Sequence, residues 1–147
     1  MIKRKLIKNA KKIDIFLINF LKSQKKSLLV KPMKYGVISG GKKIRSTIIF
    51  DTGKMLNVPK KKLLNICAAV ECIHSYSLIH DDLPCMDNDD IRRGKPSTHK
   101  KFGEATAVLA GNSLLTLAFE IIADKKNYLS FKQKNEIINL LAHCSGH

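Results

Sequence analysis

Between Lys60 and His80 the sequence puts apolar side chains on nearly every face of a helix: Leu63, Leu64, Ile66, Ala68, Ala69, Val70, Ile73, Leu78 and Ile79. A helix of that kind has no side to give to water, so other elements must surround it, and it is predicted to be central. The rest of the chain supplies the neighbours. Ile2, Leu6, Ile13, Phe16, Leu17, Phe20 and Leu21 recur at three- and four-residue steps, predicting an amphipathic first helix with lysines outside. The polar stretch Ser23-Gln24-Lys25-Lys26-Ser27 and then Pro32 reset the chain before a short helix that runs into Gly40-Gly41. The pattern is helical again from Lys42 to Leu56, closed by Asn57-Val58-Pro59. A second stretch that is apolar all round covers Glu104 to Ile122, and a last amphipathic one Phe131 to Ala142. No period-two alternation and no Asn-Gly hairpin signal occurs, so the predicted fold class is all-α, a helical bundle without a sheet.

With 147 residues and 44% hydrophobic content, the chain can bury the core of one domain, 1–147. The longest apolar run, Ala105 to Phe119, stops at Glu120, short of the roughly 20 residues a bilayer demands, so no membrane span is expected. The basic N-terminus lacks the unbroken apolar core and small-residue cleavage site of a secretory signal, and is expected to be mature protein. Cys67, Cys72, Cys85 and Cys144 have neither CxxC spacing nor histidines at zinc-finger intervals. They are expected to be reduced cytoplasmic thiols, not a zinc site or a disulfide framework. The formal charge of +15 would suit nucleic acid, but the lysines are scattered and no aromatic-interleaved basic stripe occurs, so no nucleic-acid partner is expected. The same positive field suits small anions such as diphosphates.

Against that basic background, five of the eight aspartates fall in one decapeptide, Asp81-Asp82-Leu83-Pro84-Cys85-Met86-Asp87-Asn88-Asp89-Asp90, and Arg92-Arg93 follows. Crowded carboxylates repel one another unless a cation relieves them, and an oxygen-only donor set selects a hard ion such as Mg²⁺. A guanidinium beside a metal-bearing carboxylate pair suits a diphosphate bridging both. Arg4, Arg45, Arg92 and Arg93 are the only arginines among 27 basic residues, so arginine at a site signals that its fork geometry is used. Helical spacing puts His74, Leu78, Asp81 and Asp82 on one face near the end of the central helix, which Pro84 ends or kinks. Asp87 can then fold back toward a metal held by Asp81, leaving positions for water and substrate oxygens.

Two other motifs compete for these residues and fail. Gly36-Val37-Ile38-Ser39-Gly40-Gly41-Lys42 fits GxxxxGK, but Lys43 stands where Ser or Thr must hold Mg²⁺, and Lys31-Pro32-Met33 makes a poor preceding strand. An EF-hand loop from Asp87 would need glycine sixth and glutamate twelfth, where the chain has Arg92 and Thr98.

The run from His74 through Asp81-Asp82, Asp87 and Arg92-Arg93-Gly94 to Pro96 resembles the first aspartate-rich motif, DDxxxxD followed by RRG, of the trans-polyprenyl diphosphate synthases. Gly40-Gly41-Lys42-Lys43-Ile44-Arg45 resembles that family's upstream GGKxxR element, and Lys101 to Ala105 with Leu109-Ala110-Gly111 resembles the segment after the motif. The four residues between Asp82 and Asp87, with Tyr76 five positions before Asp81, look most like the farnesyl-forming bacterial members. The resemblance implies an isoprenoid-synthase type of helical bundle that is cytoplasmic and homodimeric. It implies that Asp81 and Asp87, supported by Asp82, hold Mg²⁺ on an allylic diphosphate that Arg92 contacts. Lys42, Arg45, His74 and Arg93 would bind isopentenyl diphosphate, and Tyr76 would floor the product cavity. The implied reaction is loss of diphosphate to an allylic cation, attack by the isopentenyl double bond, and proton loss, with dimethylallyl and geranyl diphosphates as the allylic substrates that donate the prenyl group.

Three departures accompany the resemblance. The family's second aspartate-rich motif, DDxxD, is absent from these residues, so the chain is expected to be the truncated N-terminal part of one synthase domain. Ser46 stands where proline is usual, and Asn88 and Asn112 where aspartate is common. A geranylgeranyl-forming synthase and an inactive remnant or accessory subunit that keeps the diphosphate site stay open as alternatives.

Overall fold

A computed structural model describes residues 2–24, 27–38 and 40–146. Among these, seven helices follow in chain order: α1 (Ile2–Lys22), α2 (Val30–Val37), α3 (Ile44–Met55), α4 (Lys60–Asp81), α5 (Thr98–Phe102), α6 (Glu104–Ala123) and α7 (Phe131–Gly146). The all-α class holds. The bundle centres on the two helices that are apolar all round, α4 and α6, which share the most extensive packing in the molecule. α4 also touches α1, α2 and α3, and its Cys67, Ala68, Ala69 and Cys72 are fully buried. α1 turns Ile13, Leu17 and Leu21 inward, as its spacing predicts. Burial pushes the Cys67 and Cys72 thiols up to about 12, so both stay protonated and behave as small core hydrophobes.

Four details differ from the sequence reading. A two-stranded antiparallel ribbon, β1 (Ile91–Arg92) and β2 (Lys95–Pro96), stands between α4 and α5, so the expectation of no sheet is corrected. Its turn residues Arg93 and Gly94 both have positive φ, 54° and 73°, the primed turn that matches strand twist. With two exposed or half-buried residues per strand, there was no alternation for a periodicity argument to detect. The five-residue α5 escaped for the same reason of length. Pro32 lies inside the first turn of α2, where its missing N–H costs nothing, so it does not precede that helix. Finally, α6 continues past Glu120 and is, by length and composition, long and apolar enough to cross a bilayer. Here it packs as a core helix against α2, α4, α5 and α7. Residues 25 and 26 of the predicted polar break, and Ser39 of the rejected GxxxxGK match, lie outside the described residues.

The close approach of α4 and α6 depends on Gly111. A Cβ there would run into the His80 imidazole, whose Nε2 lies 3.1 Å from the Val108 carbonyl oxygen. Gly111→Ala gains about 1 kcal/mol of helix propensity and loses about 2–3 kcal/mol to overpacking. A net fall in stability is expected, measured as a lower urea midpoint; an unchanged or raised midpoint would contradict the contact.

Candidate active site

The aspartate-rich segment begins where α4 ends. Asp82 caps α4 in helical conformation, and from there the backbone folds back over the helix end: Leu83 N–H donates to the His80 carbonyl, and Asn88 N–H to that of Leu83. Asn88 adopts φ 55°, a left-handed conformation that asparagine tolerates. The Asp87 N–H donates to the Asp81 carbonyl at 2.8 Å, which ties these two residues together although six positions separate them. Neither carboxylate makes a hydrogen bond or ion pair among the described residues.

Asp82 behaves differently from its neighbour. Its side chain is 3% exposed and accepts from Arg92 Nε at 2.8 and 3.2 Å and also from Arg92 Nη2. Arg92 Nη2 reaches Asp89 as well, at 3.3 Å. Hydrogen bonding to Asp82 holds the guanidinium above its ordinary range. Asp82 therefore orients Arg92 as a buried partner. A cavity of about 20 Å³, the size for one water, lies behind this pair between α2, α4 and the ribbon.

The second group of predicted residues gathers around the α2–α3 connection. Gly40 and Gly41 have φ of 90° and 96°, values open to glycine and strained for other residues. The Arg93 guanidinium lies directly over them: its Nη1 donates to the Gly40 carbonyl at 2.6 Å, and a Cβ on Gly41 would fall 2.7 Å from its Cζ. Arg45 Nη1 stands 3.4 Å from His74 Nε2. The structure thus brings Arg45, His74 and Arg93 to one loop, with Lys42 exposed beside them. The primed turn at Arg93-Gly94 separates the two arginines, Arg92 going to the aspartates and Arg93 to the glycines. Tyr76 is half-buried on α4, its ring set edge-on to His80 at 4.7 Å.

Half-burial first, and then the positive charges of Arg45, Arg93 and Lys43, hold the His74 imidazole below its ordinary pKa of 6.5, although Glu71 pulls the other way. The unfolded chain takes up this proton first as the solution acidifies. The contribution of neutral His74 to stability is therefore complete above about pH 6.5 and is lost as the pH falls toward the lower folded value. Ring-proton NMR is expected to show a His74 midpoint below 6.5 that rises in Arg45→Gln. A midpoint unmoved by that substitution would show that Arg45 exerts no influence there.

One set of residues was missed. The Lys43 side chain is 3% exposed, beside a Lys42 that faces solvent. Its Nζ donates to the Val37 carbonyl at 3.1 Å and lies 3.3 Å from Asp14 and 3.7 Å from Glu71. Ser46 Oγ donates to Glu71 at 2.6 Å. A signal existed: Glu71 is the one acid between Lys60 and His80, and a carboxylate in a helix that is apolar all round needs a buried partner.

Among the described residues, no three His, Cys, Asp or Glu side chains converge into a ready-made metal cage. The donor set nevertheless fits Mg²⁺, which is held by one or two carboxylates and completes its shell with water and phosphate oxygens. Of the aspartates in this segment, Asp81 and Asp87 have carboxylates uncommitted among the described residues, and they sit on backbone already joined.

Known proteins resemble this chain in both sequence and fold. Residues 26–146 match the family model described as Polyprenyl synthetase. The chain is 50% identical over 119 residues to farnesyl diphosphate synthase of Escherichia coli, a match covering 80% of this chain and 40% of that protein. A FPP/GFPP synthase of Zymomonas mobilis superposes with a TM-score of 0.92 at 43% identity, over 99% of this chain and 53% of that one. A geranyltransferase of Legionella pneumophila gives 0.93 at 39% identity, over 99% and 52%. The chain thus spans between two fifths and about half of the length of these relatives.

Proposed function

This chain belongs to the polyprenyl synthetase family, and from that premise we propose that it is the N-terminal part of a prenyl diphosphate synthase domain that condenses isopentenyl diphosphate with dimethylallyl and geranyl diphosphates to form farnesyl diphosphate. The observation that carries the proposal is the pairing of an anion-seeking cluster with a cation-seeking one at one end of the bundle. The Arg45, His74 and Arg93 cluster over the glycine loop is joined, through the adjacent Arg92, to the Asp81, Asp82 and Asp87 segment.

In this scheme Arg45, Arg93 and the exposed Lys42 hold the diphosphate of the isopentenyl substrate, and His74, uncharged at neutral pH, donates or accepts without adding repulsion. Asp82 keeps Arg92 aimed at the allylic diphosphate by occupying the guanidinium from behind. Asp81 and Asp87 would hold Mg²⁺, which would supply positive charge to the departing diphosphate. The apolar faces of α4 and α6 keep water from the allylic cation once it forms. Tyr76, a turn and a half before Asp81 on α4, is the residue that would limit product length. Cytoplasmic, homodimeric assembly belongs to the same proposal and rests on the family resemblance.

Incubation of the chain with radiolabelled isopentenyl diphosphate, geranyl diphosphate and Mg²⁺ tests this. Labelled farnesyl diphosphate is the expected product, from this chain or from its mixture with a chain carrying the remaining half of the fold. Failure to bind either diphosphate would refute the proposal. Binding without product from the chain alone and from the mixture would favour the accessory-subunit alternative.

A further inference from the structure

We propose that Lys43 is the positioning residue of the isopentenyl diphosphate site, an inward ionic lock that sets the glycine loop and thereby aims Lys42 and Arg45 outward. The inference rests on the assignment of that site made above. Lys43 is the residue preceding α3, and it adopts φ 43° and ψ 54°, a left-handed conformation that a side chain-bearing residue enters only when its surroundings impose it. What imposes it is visible. The ammonium group is withdrawn from water and meets Asp14 of α1, Glu71 of α4 and the Val37 carbonyl at the end of α2, three helices at once. Glu71 is 4% exposed and is itself fixed by the Ser46 hydroxyl, one turn into α3, at 2.6 Å.

The geometry transmits outward through covalent neighbours. Lys43 follows Gly40 and Gly41, whose positive φ values let Arg93 lie flat over the loop, and it precedes Arg45 by two residues. The Lys43 carbonyl accepts from Thr47 N–H at 3.1 Å and so starts α3, the helix that carries Arg45 to His74. If the lysine were released, residue 43 would lose the side-chain anchor that favours the left-handed well. The loop would relax, and Lys42, Arg45 and Arg93 would lose their common register.

Lys43→Met alone leaves Glu71 buried without its cation and can unfold the chain, so the deciding variant is the neutral pair Lys43→Met with Glu71→Gln. Two affinities are measured by calorimetry on the same preparations: isopentenyl diphosphate without metal, and a non-hydrolysable thio-analogue of geranyl diphosphate with Mg²⁺. The expected result is at least a tenfold loss for isopentenyl diphosphate, less than a threefold change for the Mg²⁺-dependent ligand, and recovery to within threefold in Lys43→Arg. Equal losses at both sites would mean a general structural role and would overturn the proposal, as would an unchanged affinity for isopentenyl diphosphate. If the unsubstituted chain itself fails to bind isopentenyl diphosphate, the site assignment falls and this inference falls with it. If instead Lys42→Ala and Arg45→Ala abolish binding while the neutral pair does not, the site assignment stands and the lock alone is refuted.

Discussion

Alanine at both Asp81 and Asp87 is expected to reduce Mg²⁺-dependent binding of geranyl diphosphate by on the order of 100-fold, while metal-free binding of isopentenyl diphosphate is retained. Both carboxylates are free of partners among the described residues, so their loss leaves no buried group unsatisfied and the fold should survive, with a melting temperature close to that of the parent. The effect is expected to be large because the proposed substrate carries a diphosphate that must be neutralised, and the guanidinium of Arg92 is already divided between Asp82 and Asp89. Titration calorimetry with and without Mg²⁺ separates the two contributions. Equal affinity of the double variant and the parent in the presence of Mg²⁺ would place the metal elsewhere and remove the basis for the proposed chemistry.

Arg92→Met should do the opposite: unsettle the fold as well as the site. It leaves the Asp82 carboxylate, 3% exposed, with no cation in a site built around one. Breaking a buried pair from one side costs about 3–5 kcal/mol; the part-exposure of Arg92 puts the expectation near the lower figure, about 3 kcal/mol. For a chain of this size that corresponds to a fall of roughly 6–12 °C in Tm. Adding Asp82→Leu to Arg92→Met should restore most of the stability but none of the diphosphate affinity, because the apolar pair removes the unpaired charge without rebuilding the guanidinium. Arg92→Lys should recover only part of either, since an ammonium cannot reproduce the two-point contact made by Nε and Nη2. A fully stable Arg92→Met would show that Asp82 is not dependent on this partner.

The long helices α1, α4 and α6 were legible in the sequence because each buries apolar side chains, and burial imposes a period that about twenty residues display well. α7 was legible from its spacing as well, although it only half-buries Ile137, Ile138 and Leu141 and leaves Phe131 and Leu140 exposed. Short elements obey other rules. The ribbon is set by two left-handed residues at Arg93-Gly94, and α5 spans five residues, so neither carries a period. Of the site, the residue types and their gathering near the end of α4 could be read from composition and order, since carboxylates crowded into a basic chain demand an explanation at any fold.

The helical class, the two central helices and the chemical character of the site are thus written in residue order and type. Tertiary structure alone decided between identical neighbours. Asp81 and Asp82 are the same residue in adjacent positions, as are Lys42 and Lys43, yet Asp82 and Lys43 have side chains only 3% exposed while Lys42 faces water. Which member turns inward depends on the phase at which α3 and α4 meet α1, α2 and the ribbon, and on where a counter-charge waits. Arg92, ten residues from Asp82, and Glu71, twenty-eight from Lys43, are brought there by packing, and no local pattern in the chain encodes that meeting.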